Sequence, residues 1–119
     1  MKINDLKLNN FIVDKDQTIK EAMAAINDNH RGAVVVVDKS YLMVGIVSDG
    51  DIRRSIVGGR DIMSTVEEIV NANPIFIKDG QSVFGEAEKI FKDRVEINII
   101  PIVDKNNNLT NIIIRNPLM

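Results

Sequence analysis

AVVVVDKSYLMVGIVSDGDIRR, Ala33 to Arg54, is the stretch on which the fold turns. AVVVVD and LMVGIV read as two strands about the polar turn DKSY. DGDIRRSIV then reads as a helix that stops at Gly58-Gly59. Upstream, Phe11 to Val13 forms a short strand candidate. TIKEAMAAINDN places Ile19, Ala22, Met23 and Ile26 at helical spacing behind a Thr18/Glu21 capping box.

The second half runs through the same order. PIFIKDG reads as strand and turn, and SVFGEAEKIFKD as a helix with Val83, Ala87, Ile90 and Phe91 apolar. INIIPIVD and LTNIIIR read as two strands around DKNNN. Setting Asp38-Lys39 on Asp104-Lys105 brings Val36-Val37 onto Ile102-Val103 and Gly45 onto Asn111. Self-similarity of this kind marks duplicated units that bury a shared face. Each copy is strand–helix–strand–strand, and a following helix is clear only in the first. Between them, STVEEIVNANP suggests a linker helix with Ser64 and Glu67 as its capping box and Pro74 as its stop. The expected division is 1–60, a linker over 61–73, and 74–119. A single copy of about 50 residues buries too little surface to stand alone, whereas two copies stacked sheet to sheet do not face that shortage.

Composition narrows the function classes. With 45% hydrophobic but only 4% aromatic residues, the core is built from Ile, Val, Leu and Ala. The absence of cysteine removes disulfides, thiolate zinc sites and cysteine nucleophiles together. A net charge of -2 argues against nucleic acid as a partner, since backbone phosphates call for a basic face. No apolar run approaches the ~20 residues of a membrane span, and MKINDLKLNN is too polar for a signal peptide. A soluble cytoplasmic module is expected.

With the motifs TIKEAM…VVVVDKSYLMVGIVSDGDIRR and SVFGEAEKIF…IIPIVDKNNNLTNIII in hand, the chain resembles a tandem pair of CBS (cystathionine-β-synthase-type) domains, a Bateman module, over essentially its whole length. The resemblance implies an α/β (α+β) fold of two CBS motifs, each a small three-stranded sheet with flanking helices, packed as an intramolecular pseudo-two-fold pair. It implies a disc-like homodimer and an adenosine ligand, AMP, ADP or ATP, with S-adenosylmethionine as the other family ligand and no metal required. The wording GIVSDGDIRR…VEEIVNANPI is also similar to CBS pairs preceding the catalytic domain of sugar-phosphate nucleotidyltransferases. On that likeness the chain is a regulatory part, with a catalytic domain in cis beyond residue 119.

In the family, a Ser/Thr-x-x-Asp motif grips phosphate and ribose, and here it is Ser48-x-x-Asp51. The physics suits that use. A helix starting at Ser48 or Asp49 presents unpaired N–H groups and its positive dipole end to an anion. Ser48 adds a hydroxyl donor, Asp51 can accept from both ribose hydroxyls, and Arg53 or Arg54 can balance the phosphate charge. By analogy the adenine lies against backbone around Val13 to Thr18 and at Ala33 and Val34. Those residues read equally well as core strand positions, and Ser-x-x-Asp is itself a capping arrangement, so both roles stay open. The second copy sets Ile114 opposite Ser48 and Pro117 opposite Asp51, which predicts at most one such grip per chain.

Other signals carry less. DKNNNLTNIIIR begins like a calcium loop, but Leu109 and Arg115 stand where the glycine and closing glutamate belong, so a hairpin turn is the reading. His30 has no partner for zinc or catalysis and reads as helix-end solvation, near Arg31 and a bound phosphate at most. Glu67-Glu68 reads as first-turn helix charge, and Asp93-Arg94 with Glu96 as a solvated loop. No nucleophile–base–orienter set is present, so no enzyme activity is expected in this chain. A regulatory binding module is the leading reading, and a structural dimerisation module with no functional ligand site is its rival.

Overall fold

The computed structural model describes residues 6–80 and 82–116. A 3₁₀ turn at Leu6–Phe11 leads into β1 (Ile12–Asp14), α1 (Ile19–Asn29), β2 (Ala33–Val37), β3 (Met43–Ser48) and α2 (Asp49–Val57). After a second 3₁₀ turn at Val66–Ile69 come β4 (Ile77–Lys78), α3 (Val83–Asp93), β5 (Ile99–Val103) and β6 (Leu109–Ile114). The strands form two sheets, β1-β2-β3 and β4-β5-β6. In each, the first pair is parallel and the second antiparallel, with a register shift at the same place, Val36/Val37 and Ile102/Val103.

Local chemistry accounts for the elements. Thr18 caps α1: its hydroxyl accepts from the Glu21 N–H, and the Glu21 carboxylate accepts from the Thr18 N–H, both at 3.1 Å. The helix ends because His30 turns left-handed at φ 57° while its N–H still reaches the Ile26 carbonyl. The two hairpin turns are copies of one another. Asp38 accepts from the N–H groups of Ser40 and Leu42, and Asp104 from those of Asn106 and Asn108. Tyr41 and Asn107 take the left-handed position in each turn, at φ 64° and 66°. The calcium-like spelling is therefore a hairpin turn.

Strand alternation builds the layers. Val34 and Val36 face the helices and pack with Ile19, Ala22, Ile26 and Ile52. Val35 and Val37 point the other way, into a core made with Ile99, Val103, Leu109 and Ile112 of the second sheet. On the far side, Ile100 and Ile102 pack on Ala87 and Phe91 of α3. The order is helix, sheet, sheet, helix. The pseudo-two-fold axis shows in reciprocal hydrogen bonds between the hairpins: Met43 N–H to the Asn107 carbonyl at 2.9 Å, and Leu109 N–H to the Tyr41 carbonyl at 2.8 Å.

The expected linker helix is replaced by the single turn Val66–Ile69, and its acidic cap falls one residue later, where the Thr65 N–H donates to Glu68 at 3.2 Å. The first motif claims the linker backbone. Ser64 O accepts from Ile19 N, while Val66 N and Glu67 N donate to Gln17 O and Lys15 O. Asn71 exchanges two backbone bonds with Ile46. Groups committed to these partners are not free for a helical ladder.

Among the described residues three carboxylates, Glu21, Glu96 and Asp104, are held low in the folded state, and the first and last, within one motif each, carry the acid test. Glu21 is held below the usual carboxylate range first by the Gln17 side-chain amide, then by the Thr18 N–H and hydroxyl. Asp104 is lowered first by the Asn108 N–H, with partial burial opposing and the Asn106 N–H adding. Both are depressed in the folded state, so their stabilisation is present above the ordinary value near about 4 and is lost as pH falls through the lower folded value. Urea midpoints measured from neutral pH downward should therefore drop more steeply for the natural chain than for a Glu21→Gln/Asp104→Asn variant. Identical slopes would contradict this.

Candidate functional site

β3 delivers Ser48 in extended conformation directly to the start of α2. The Ser48 hydroxyl accepts from the Asp51 N–H at 3.2 Å and donates to the Asp51 carboxylate at 3.0 Å. The Ser48 N–H donates to the same carboxylate oxygen at 2.9 Å, and Arg54 holds the other oxygen at 2.8 Å. The capping role is thus realised. Because carboxylate oxygens accept more than one donor, the helix cap does not exhaust Asp51.

Ser48 and Asp51 also line a cleft of about 650 Å³ at the junction of the two motifs. Arg31, Gly32, Ala33, Ile46, Asp49 and Gly50 complete the first motif's side; Arg94, Glu96 and Ile97 to Ile99 form the wall from the second. Asn71 and Asn73 of the linker, with Pro74 and Ile75 just after it, also line the cleft. A neighbouring cleft of about 990 Å³ lies between α1 and α2 and shares Arg31, Gly32, Asp49 and Asn98 with the first. Its lining mixes Met23, Ile26, Ile52 and Ile56 with Asn27, His30 and Arg53, and it contains neither Ser48 nor Asp51. The smaller cleft is therefore the candidate site.

Of the residues singled out from the sequence, the structure brings Ser48, Asp51 and Ala33 together in this cleft. Arg54 sits on Asp51 with its side chain 73% exposed, outside the cleft lining, and Arg53 faces the neighbouring cleft. Val13 and Val34 are buried core residues, 3% and 0% exposed, so their side chains are turned from the cleft by strand alternation. Thr18 is held by its capping box and by a bridge to Thr65.

Arg31, and neither Arg53 nor Arg54, is the arginine of the first motif that lines this cleft. Its Nε is buried with no hydrogen-bond partner among the described residues. A buried guanidinium donor left unmade is costly, on the order of 1–3 kcal/mol, and an anion beside it would satisfy it. The signal was present but weak: Arg31 lies just before β2, whose Ala33 stands in register with Ser48. In the second motif Ile99 pairs with Ile114 in the equivalent register, so an aliphatic side chain occupies the hydroxyl's place. Pro117 lies outside the described residues. No group of three or more potential metal-ligating side chains occurs among the described residues, and none of their helices is long and apolar enough to cross a membrane.

The duplicated unit, the shared core and the polar cleft at the junction define a paired-repeat module. The family model for the CBS domain matches twice, over residues 4–58 and 66–116, and the chain belongs to the CBS domain family as a pair of such domains. Arabinose 5-phosphate isomerase GutQ of Salmonella typhi is 32% identical over 93 residues, covering 78% of this chain and 28% of the relative. The chain thus spans little more than a quarter of that relative's length. Among solved structures, a CBS domain protein from Pyrobaculum aerophilum complexed with AMP is 27% identical, with a TM-score of 0.68 over 87% of this chain and 78% of that one. The CBS domain pair of protein MJ0100, in complex with 5-methylthioadenosine and S-adenosyl-L-methionine, has the same fold at 24% identity, with a TM-score of 0.66 over 87% of this chain and 80% of that one.

Proposed function

We propose that this CBS pair is a regulatory module that binds an adenosine nucleotide in the cleft at the motif junction. The observation that carries the reading is the placement of Ser48 and Asp51, at the start of α2, opposite a wall supplied by the second motif. The AMP complex of the 27% identical Pyrobaculum protein supports the ligand class. In this reading the ligand displaces the exposed Arg54 and the Ser48 O–H from Asp51, which then accepts from the ribose hydroxyls, while the freed Ser48 hydroxyl and the α2 terminus meet the phosphate and Arg31 balances its charge. Ile46, Ile75, Ile97 and Ile99 offer aliphatic surface for the base. S-adenosylmethionine is the ligand whose sulfonium would make Arg31 unfavourable, which favours AMP, ADP or ATP.

Both motifs build the cleft, so a ligand that fits one relative arrangement better than another shifts the pair toward it. That shift is the regulatory output, passed to a catalytic domain in the same polypeptide. The resemblance in sequence pointed to a sugar-phosphate nucleotidyltransferase, whereas the named relative is an arabinose 5-phosphate isomerase. The common element is a sugar-phosphate enzyme, and we propose that wider class. The homodimer rests on the family resemblance, and the cytoplasmic location on the composition of the sequence.

Calorimetry with AMP, ATP and S-adenosylmethionine tests the reading. AMP or ATP should bind with a dissociation constant between micromolar and millimolar, about -4 to -8 kcal/mol. Asp51→Ala should weaken binding at least tenfold while costing about 1 kcal/mol of stability through the lost cap. No heat with any ligand, on protein shown to be folded by circular dichroism, would leave the structural dimerisation module as the function.

A further inference from the structure

Asn98 and Arg115 join the cleft to the end of the second sheet. With Asp38 set on Asp104, Gly32 corresponds to Asn98 and Asp49 to Arg115. The first motif donates the Asp49 N–H to the Gly32 carbonyl at 2.9 Å and turns into α2. The second donates the Arg115 N–H to the Asn98 carbonyl at 2.7 Å, and residues 115–116 are not helical. In place of a helix start, the Arg115 guanidinium clasps the loop between α3 and β5. Its Nε donates to the Ile97 carbonyl at 2.9 Å and its Nη2 to the Arg94 carbonyl at 2.8 Å, while its Cζ lies 4.6 Å from the centre of the Phe91 ring.

That loop is the second motif's wall of the cleft, through Arg94, Ile97 and Asn98. Asn98 also crosses to the first motif, its Nδ2 donating to the Arg31 carbonyl at a long 3.4 Å. A continuous path therefore runs from Arg31 in the cleft, through Asn98, to the end of β6. Between α3 and β5 the exposed residues Arg94, Val95 and Glu96 form a turn closed by the Ile97 N–H on the Arg94 carbonyl at 3.1 Å, and the guanidinium fork adds two bonds that tie this turn to the end of β6. Lysine, a single point of charge, does not reproduce two directed bonds to two carbonyls.

We infer that Arg115 is a positioning residue that couples occupancy of the cleft to the polypeptide leaving β6. This rests on the nucleotide reading of the cleft. A ligand that engages Arg31 and the 94–98 wall holds the carbonyls that Arg115 grips, and by linkage the state of β6's end feeds back on affinity.

Amide hydrogen exchange and calorimetry on the 119-residue chain test it with AMP as the probe. Saturating AMP should slow exchange of the Arg115 amide at least fivefold. Arg115→Met keeps aliphatic contact with Phe91 but removes the donors; it should bind AMP three- to tenfold more weakly and lose the protection at Arg115. Asn98→Ala, with the clasp retained, should also uncouple the Arg115 amide from AMP. Should Arg115→Met fail to fold, Arg115→Lys provides the same readout with the charge kept. AMP bound without any change at Arg115, or bound by a folded clasp variant with natural affinity, overturns the coupling alone. Absence of AMP binding to the natural chain overturns the nucleotide reading and the coupling with it.

Discussion

Leu109→Ala is expected to lower the unfolding free energy by about 3 kcal/mol, the middle of the range for a buried leucine truncated in a close-packed core. Leu109 is fully buried, and its neighbours are not those of one motif. It shares a cluster with Val35, Val37 and Met43 of the first sheet and Ile99 and Val103 of the second. Its N–H crosses to the Tyr41 carbonyl, so the backbone fixes the side chain at the seam. The cavity opens where both halves meet, and neither half of this size is stable without the other. Urea unfolding should accordingly stay a single transition, with a lower midpoint and an unchanged slope. Two resolved transitions, or a loss under about 1 kcal/mol, would show that the sheets do not depend on this seam.

Gly45→Ala is expected to cost about 2–4 kcal/mol, combining overpacking with lost hydrogen bonds. A Cβ at Gly45 would lie 2.1 Å from the Asn71 carbonyl oxygen and 2.8 Å from the Val70 side chain. The backbone oxygen has nowhere to go without breaking the paired bonds between Ile46 and Asn71. Asn71 and Asn73 line the cleft, so the same change should weaken nucleotide binding as the linker lifts. Gly85→Ala is the matched control. Gly85 lies within α3 with nothing within 4 Å of an added Cβ, and alanine there should stabilise by about 0.5–1 kcal/mol. Thermal and urea unfolding of the two variants should move in opposite directions; a neutral Gly45→Ala would mean that the linker does not sit tightly on β3.

The repeat explains why the second motif tolerates Asn111 at the position of Gly45. Asn111 turns its side-chain oxygen onto the Ile112 N–H at 2.8 Å, the group whose first-motif counterpart, on Ile46, is taken by Asn71. The two halves thus satisfy the same edge amide differently, one with a crossing chain segment and one with its own side chain.

Most of the architecture was written in short-range pattern. The valine run of β2 alternates between two cores, Thr18/Glu21 and Ser48/Asp51 cap the helices that follow them, and paired aspartates shape both hairpin turns. Each depends on residues within about four positions of one another, which is the range over which caps, turns and periodicity act. The duplication was legible for the same reason, since like local patterns recur in like order. The linker was misread as helix because its backbone partners, Lys15, Gln17, Ile19 and Ile46, are remote in sequence and outweigh its capping signals. The cleft was half legible. Ser48 and Asp51 announced themselves as a motif and Arg31 was placed near a bound phosphate, but Arg94 and Asn98 joined the cleft lining only when the second motif was folded against the first. Arg53 and Arg54 carry the same charge as Arg31, yet helix geometry puts Arg53 on the neighbouring cleft and Arg54 in solvent on Asp51. A sequence states which side chains carry charge and which backbone turns they favour; which of those charges share one enclosed space is decided by contacts between residues far apart along the chain.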